Sequence, residues 1–230
     1  MNSPWLNQVS AVLGKELKTE VRSSHGLATG ILLGVLIIAS LGYSSLFDSP
    51  SPWGAAGMTV SALLFASALM VPRLFLVEEE QGTLDLLRLN GDAGAIYLGK
   101  LLAGLIQLLV IGSVLGLVLI ELLSQDVERP LFLAVGILGH IICLAGGFSF
   151  SGALVMGASN RWVLAAAAGV PLLLPQSIMA VIVIAYGLGA GGPMTANGSA
   201  WGLICMSLVL VCMGALVIPV VWKLSVERGK

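Results

Sequence analysis

The sequence predicts an all-α membrane protein: six transmembrane helices, an N-terminal interfacial amphipathic helix and a short cytoplasmic coupling helix. Three observations predict it. Only 10% of the 230 residues are charged, against about 25% in an ordinary soluble domain. Apolar residues reach 57% and 29 glycines add to them, which leaves too little polar surface to cover a water-soluble globule. The basic residues also gather on alternate sides of long apolar runs. A disordered tail, a secreted disulfide scaffold and a basic nucleic-acid binder are excluded by the apolar fraction, the three scattered cysteines and the net charge of −1.

Residues 1–26 form the first element. Trp5, Val9, Val12, Leu13, Leu17 and Val21 recur at helical spacing, while Lys15, Glu16, Lys18, Glu20 and Arg22 occupy much of the remainder. Charges spread in this way break any compact apolar core, so no cleavable signal peptide is expected. The pattern predicts a helix lying along the inner leaflet. Two roles stay open for it, an anchor for the first span or a surface for a partner.

Six apolar stretches follow, near residues 27–47, 53–72, 96–122, 131–157, 163–187 and 200–222. Each is long enough to cross a hydrocarbon core of about 30 Å, and each must be helical because an open strand in lipid leaves backbone groups unpaired. Lys15, Lys18, Arg22, Arg73, Arg88, Lys100, Arg161, Lys223, Arg228 and Lys230 fall on one side, and Arg129 alone on the other. Both termini are therefore expected in the cytoplasm, with the second and fourth loops facing inward. Trp53, Trp162, Trp201 and Trp222 stand at span boundaries as an interfacial belt. The chain divides into the amphipathic helix 1–26, a permease-like membrane domain 27–222 and a tail 223–230.

The span interiors hold no Lys or Arg, and no Asp or Glu away from their ends. A proton- or sodium-coupled carrier keeps such a group at mid-depth, so its absence counts against secondary transport. His140 is the exception. A lone histidine without a partner motif reads first as a neutral imidazole bonded to a neighbouring helix, and second as a haem or proton ligand. Cys143, Cys205 and Cys212 form no CxxC or CxxCH pattern, so no metal or covalent haem site is assigned. Neither Gly14-Lys15-Glu16 nor Lys100-Leu101 completes a phosphate-cradling GxxxxGK[ST] loop, so ATP must be used by another subunit.

The second loop carries a miniature helix over 83–89. Thr83 suits its N-cap, Asp85 and Arg88 match the two ends of its dipole, and Asn90-Gly91 supplies a stop. So short a helix is marginal in water and must dock. Leu84, Leu86, Leu87 and Leu89 suggest a helix-in-groove contact with a cytoplasmic partner, the competing surfaces being the membrane or the N-terminal helix. Glu78, Glu79 and Glu80 either face a basic partner or are solvated. In the fifth span Pro171 and Pro175 predict a kink, a candidate hinge, although packing alone is the simpler reading. Gly112 and Gly116 make a GxxxG face for close helix contact, within the chain or between protomers. The glycine-rich loop 187–199 reads as either flexible or tightly turned.

Several of these features together resemble the CcmB family, the haem-exporter-B permeases of cytochrome c maturation. The resemblance rests on Glu16-Leu17 and Arg22 in the amphipathic start, Arg73-Leu74-Phe75, the acidic stretch from Glu78, Gly82-Thr83-Leu84-Asp85, Lys100 opening the third span, and Pro171 with Pro175. Asn90-Gly91-Asp92 stands where the family often has a proline-rich stretch. The resemblance spans essentially the whole chain and is shared in layout with other type-2 ABC exporter permeases. It implies a bacterial cytoplasmic-membrane permease working as two copies with separate cytoplasmic ABC ATPase subunits. Haem-handling membrane subunits and a haem chaperone would be further partners. ATP and magnesium would belong to the ATPase, and haem enters as a possible substrate rather than a resident cofactor. The coupling surface would comprise Glu78, Glu79, Gly82, Thr83, Leu84, Asp85, Leu86, Leu87 and Arg88. The alternatives are an ABC permease for another lipid-soluble or glycan substrate, and a non-transporting scaffold for haem-handling proteins. No catalytic residue is assigned to this chain.

Overall fold

A computed structural model describes residues 4–23, 25–43, 50–83, 91–123, 125–156 and 160–228, without side chains at 79 and 223–228. Eight helices occupy these residues: α1 Pro4–Ser23, α2 His25–Tyr43, α3 Pro52–Met70, α4 Arg73–Glu80, α5 Ala93–Leu122, α6 Pro130–Leu154, α7 Arg161–Gly187 and α8 Pro193–Arg228. Six are long and apolar enough to cross a membrane: α2, α3 continued through α4 to Glu78, α5, α6, α7 and α8. Each overlaps one of the six stretches expected.

Helix starts follow local chemistry. Ser51 accepts from the Gly54 amide at 3.2 Å, with Pro52 supplying a preset first turn for α3. Asp92 does the same for α5, accepting from the Ala95 amide at 3.1 Å. Pro130 opens α6, whose preceding residue Arg129 is turned elsewhere: its guanidinium donates to the Tyr186 carbonyl at 2.8 Å and stacks on the Tyr186 ring at 4.2 Å. The lone basic residue at that end thus ties the start of α6 to the end of α7.

Helix α6 runs through the middle of the bundle, packed on α7, α8 and α5, and small residues make this possible. A Cβ on Gly112 of α5 would stand 2.4 Å from Ile141 Cδ1 of α6. The close approach expected of the Gly112 face is therefore an internal α5–α6 contact. At the opposite end the loop 187–199 resolves as a tight turn: Gly189 and Gly192 have φ of +100° and +104°, and α8 begins at Pro193, ahead of the expected 200. Helical backbone likewise continues past Trp222 to Arg228.

The sequence reading missed α4. A loop was expected from 78, yet after a turn at Val71-Pro72 the chain re-enters a helix over Arg73–Glu80, with Leu74, Phe75 and Leu76 buried. Phe75 lies against Tyr97 of α5, ring centroids 5.9 Å apart, and Gly152 of α6 makes room for Pro72 and Phe75. Burial of this apolar run stabilises a helix too short to stand alone.

Candidate functional site

The charged chemistry of the described residues converges where α1, α4 and α5 meet. Helix α1 lies mainly along α5, its Val9 carbonyl and Val12 side chain so near Gly99 that a Cβ there would stand 2.7 Å from Val12 Cβ. Val9 is buried, whereas Trp5 and Val21, assigned to the same stripe, are exposed. Trp5 instead donates its indole N–H to Asp92 at 3.1 Å, and the Asp92 amide donates to Gln8 at 3.0 Å. The first turns of α1 therefore clamp the first turn of α5.

Two turns along the same face of α1, seven residues after Val9, stands Glu16, 8% exposed. Its Oε1 lies 2.6 Å from Nζ of Lys100, which is 2% exposed on α5. Lys100 also donates to Glu78 of α4 at 3.2 Å and to the Leu74 carbonyl. An ammonium group has three protons, and all three are used. Its methylene stem and charge lie beside Phe75, with Nζ 5.8 Å from the ring centroid.

Glu78, 4% exposed, is the hub on the other side. Beyond Lys100 it accepts from Lys15 of α1 and from the Thr83 hydroxyl, and its carbonyl accepts from the Thr83 amide at 3.0 Å. Two cations and two carboxylates thus close a network of zero net charge, buried at Glu16, Glu78 and Lys100 and half-exposed at Lys15. Burial alone would favour neutral forms, but each charge here is matched by an opposite one. With Lys100 saturated, the group offers no free base or nucleophile. It fastens three helices and the root of the second loop into one piece.

That root is where the expected coupling surface begins. Gly82 has φ of +67°, a left-handed turn that releases the chain from α4. Thr83, expected as an N-cap, sends its hydroxyl proton back to Glu78. Glu78 itself, read as solvated or partner-facing, is interior because Lys15 and Lys100 neutralise it. Glu80 is exposed and accepts from the Trp162 indole at 2.8 Å, joining the second loop to the start of α7. Glu79 is helical, with its side chain outside the described residues, and Leu84, Asp85, Leu86, Leu87 and Arg88 lie outside them entirely.

The other singled-out residues sit apart from this network. Pro171 and Pro175 lie on the exposed side of α7, which continues through both, while Leu173 and Gln176 face inward. His140 is fully buried between α3 and α7: Nε2 lies 3.2 Å from the Val60 carbonyl and Nδ1 lies 3.0 Å from the Gln176 carboxamide. Both contacts are to oxygens, the Val60 carbonyl and Gln176 Oε1, which only accept, so a neutral ring with its single N–H donates to one of them at a time. Among the described residues no cluster of three or more His, Cys, Asp or Glu could hold a metal ion.

Lys15, Glu16 and Lys100 were missed as site residues, although signals existed. Glu16 falls in the apolar stripe at the i+7 position from Val9, and Lys100 stands eight residues inside α5, flanked by apolar residues. A charge placed where an apolar residue belongs implies a buried partner.

The family described as CcmB protein matches residues 7–225, a range that includes every residue of the network. A relative from Bradyrhizobium diazoefficiens, called Heme exporter protein B, is 27% identical over 222 residues, covering 91% of this chain and 94% of its own.

Proposed function

This chain belongs to the CcmB family, and from that premise we propose that it is the membrane-spanning permease subunit of an ABC transporter serving c-type cytochrome biogenesis. Haem export, the activity in the relative's name, is the transport or release step it would serve, as delivery of haem or of a haem-loaded chaperone. The chain hydrolyses nothing itself. ATP and magnesium belong to cytoplasmic ABC ATPase subunits, and two permease copies join them with haem-handling membrane subunits and the haem chaperone. Both termini and the loop after α4 face the cytoplasm, and Arg129 faces out, in keeping with the one-sided distribution of Lys and Arg.

One observation carries the mechanism: Glu78, at the base of the loop, is held by Lys15 of α1, Lys100 of α5 and Thr83. When the ATPase dimer closes on residues 83–89, the displacement meets a network that cannot stretch without exposing buried charges. It is passed as a unit to α1, α4 and α5. A loop joined to its spans by a solvated linker would dissipate the same motion.

Deletion of the gene should abolish covalently haem-loaded c-type cytochromes, and purification in mild detergent should bring down a Walker-type ATPase with haem-handling chains. Unaltered cytochromes would overturn the haem assignment. An ATPase that binds but whose turnover leaves the permease unmoved would overturn the transport reading in favour of a scaffold.

A further inference from the structure

A partly open cavity of about 300 Å³ lies beside the charge network, lined by α1, the first turn of α2, the α3–α4 junction and α5. Two of its lining groups are unsatisfied by the chain. Gln107 of α5 is 2% exposed, and neither its amide nitrogen nor its oxygen has a hydrogen-bond partner. A carboxamide buried without partners is strongly disfavoured. Arg73, at the start of α4, makes no ion pair or hydrogen bond with any described residue. The remaining charges around the cavity are already engaged: Lys15, Glu16 and Glu78 in the network, and Glu20 accepting from the Leu27 amide at 2.7 Å.

A ligand serving both groups would bring an anionic oxygen for Arg73 and an acceptor or donor for Gln107. It must also fit a particular order in depth. Gln107 stands seven residues beyond Lys100 along α5, about 10 Å further from the charged end. Met70 and Gly26 line the cavity as well, so its walls turn apolar toward the spans. A small free anion satisfies Arg73 and leaves Gln107 empty. Water can serve Gln107 and the half-exposed Arg73 singly, but does not link them.

We infer that this cavity is a phospholipid site, with the phosphodiester on the Arg73 guanidinium and a glycerol-ester carbonyl accepting from the Gln107 amide. A phospholipid carries these groups in that order, anion outermost and ester below it, followed by acyl chains that continue along the spans. The bound lipid fills the space between α1 and the α2–α3 pair, next to the network that joins α1 to α5. The assignment does not depend on which substrate the protein moves.

The test is lipid retention by the full chain with its co-purifying partners in mild detergent. Wild type should keep about one phospholipid per chain through extended washing. Losing a charge-assisted contact should lower retention by about tenfold in Arg73→Gln, with a similar drop in Gln107→Leu and recovery in Arg73→Lys. Dihexanoyl phosphatidylglycerol should raise the Tm of wild type and leave Arg73→Gln unchanged, while both proteins share the same Tm without lipid, which separates lost binding from misfolding. Equal retention by wild type, Arg73→Gln and Gln107→Leu would overturn the proposal. So would protection by inorganic phosphate with no further gain from the short-chain lipid.

Discussion

Lys100 Nζ of α5 lies 2.6 Å from Glu16 Oε1 of α1, a contact between residues 84 apart in the chain and both almost wholly buried. The pair makes an N-terminal helix, otherwise free to lie anywhere along a membrane surface, part of the bundle. Removing one partner of such a pair is far costlier than never having had it.

Lys100→Met should therefore destabilise by about 3–5 kcal/mol, on the order of a 10 °C drop in Tm for a chain of this size. The double variant Glu16→Gln with Lys100→Gln should lose less than the sum of the two single variants, with a coupling of about 0.5–3 kcal/mol. Thermal unfolding of the detergent-purified protein measures both. Strict additivity would mean that the two side chains do not share a buried contact.

Gly82→Pro should block maturation of c-type cytochromes while leaving the chain inserted at wild-type abundance. The native φ of +67° is closed to proline, whose ring holds φ near −65°. The chain would therefore leave α4 in another direction and the loop would miss its partner. Haem staining of periplasmic cytochromes, set beside immunoblots of the membrane fraction, reads the two effects separately.

His140 contacts two helices at once, so His140→Leu should cost about 1–3 kcal/mol by stranding the buried Gln176 Oε1. Replacing both partners, as His140→Leu with Gln176→Leu, should recover most of that loss, because neither polar group is then left unpaired. The Tm values of the two single variants and the double variant decide this. A double variant as unstable as the worse single variant would argue for a role of the imidazole beyond bonding to its neighbours.

Labelling should resolve the sidedness. In a background lacking Cys143, Cys205 and Cys212, Gln8→Cys should react with an impermeant maleimide only after the membrane is opened. Gly191→Cys should react in intact spheroplasts. The opposite pattern would invert the topology taken from the positive charges.

The bundle was legible from residue chemistry because lipid leaves a backbone few options: long uncharged stretches with basic residues on alternate sides can only be helices. The spans at 53–72, 131–157 and 163–187 match α3, α6 and α7 closely for that reason. Helix α4 was not legible. Its eight residues mix an apolar Leu74-Phe75-Leu76 run with three consecutive glutamates, and only packing against Tyr97 and α6 makes the run a helix. Glu78 was misread by the same token: nothing local says that a glutamate in an acidic stretch will meet Lys15 and Lys100 from two other helices. Thr83 was chosen as the N-cap of a helix that lies outside the described residues; within them its hydroxyl donates to Glu78. Short-range rules name the capable side chain, while the tertiary partner decides where it points.

The most direct measurement of the central claim is site-specific crosslinking from Leu86 in the intact complex, using a photoreactive side chain at that position. The expected result is a product with a Walker-type ATPase subunit whose yield changes when ATP is trapped, and loss of that change, though not of the product, in Glu78→Gln. A probe at Leu86 that captures no cytoplasmic chain, or a Glu78→Gln variant whose crosslinking responds to ATP as wild type does, would contradict it.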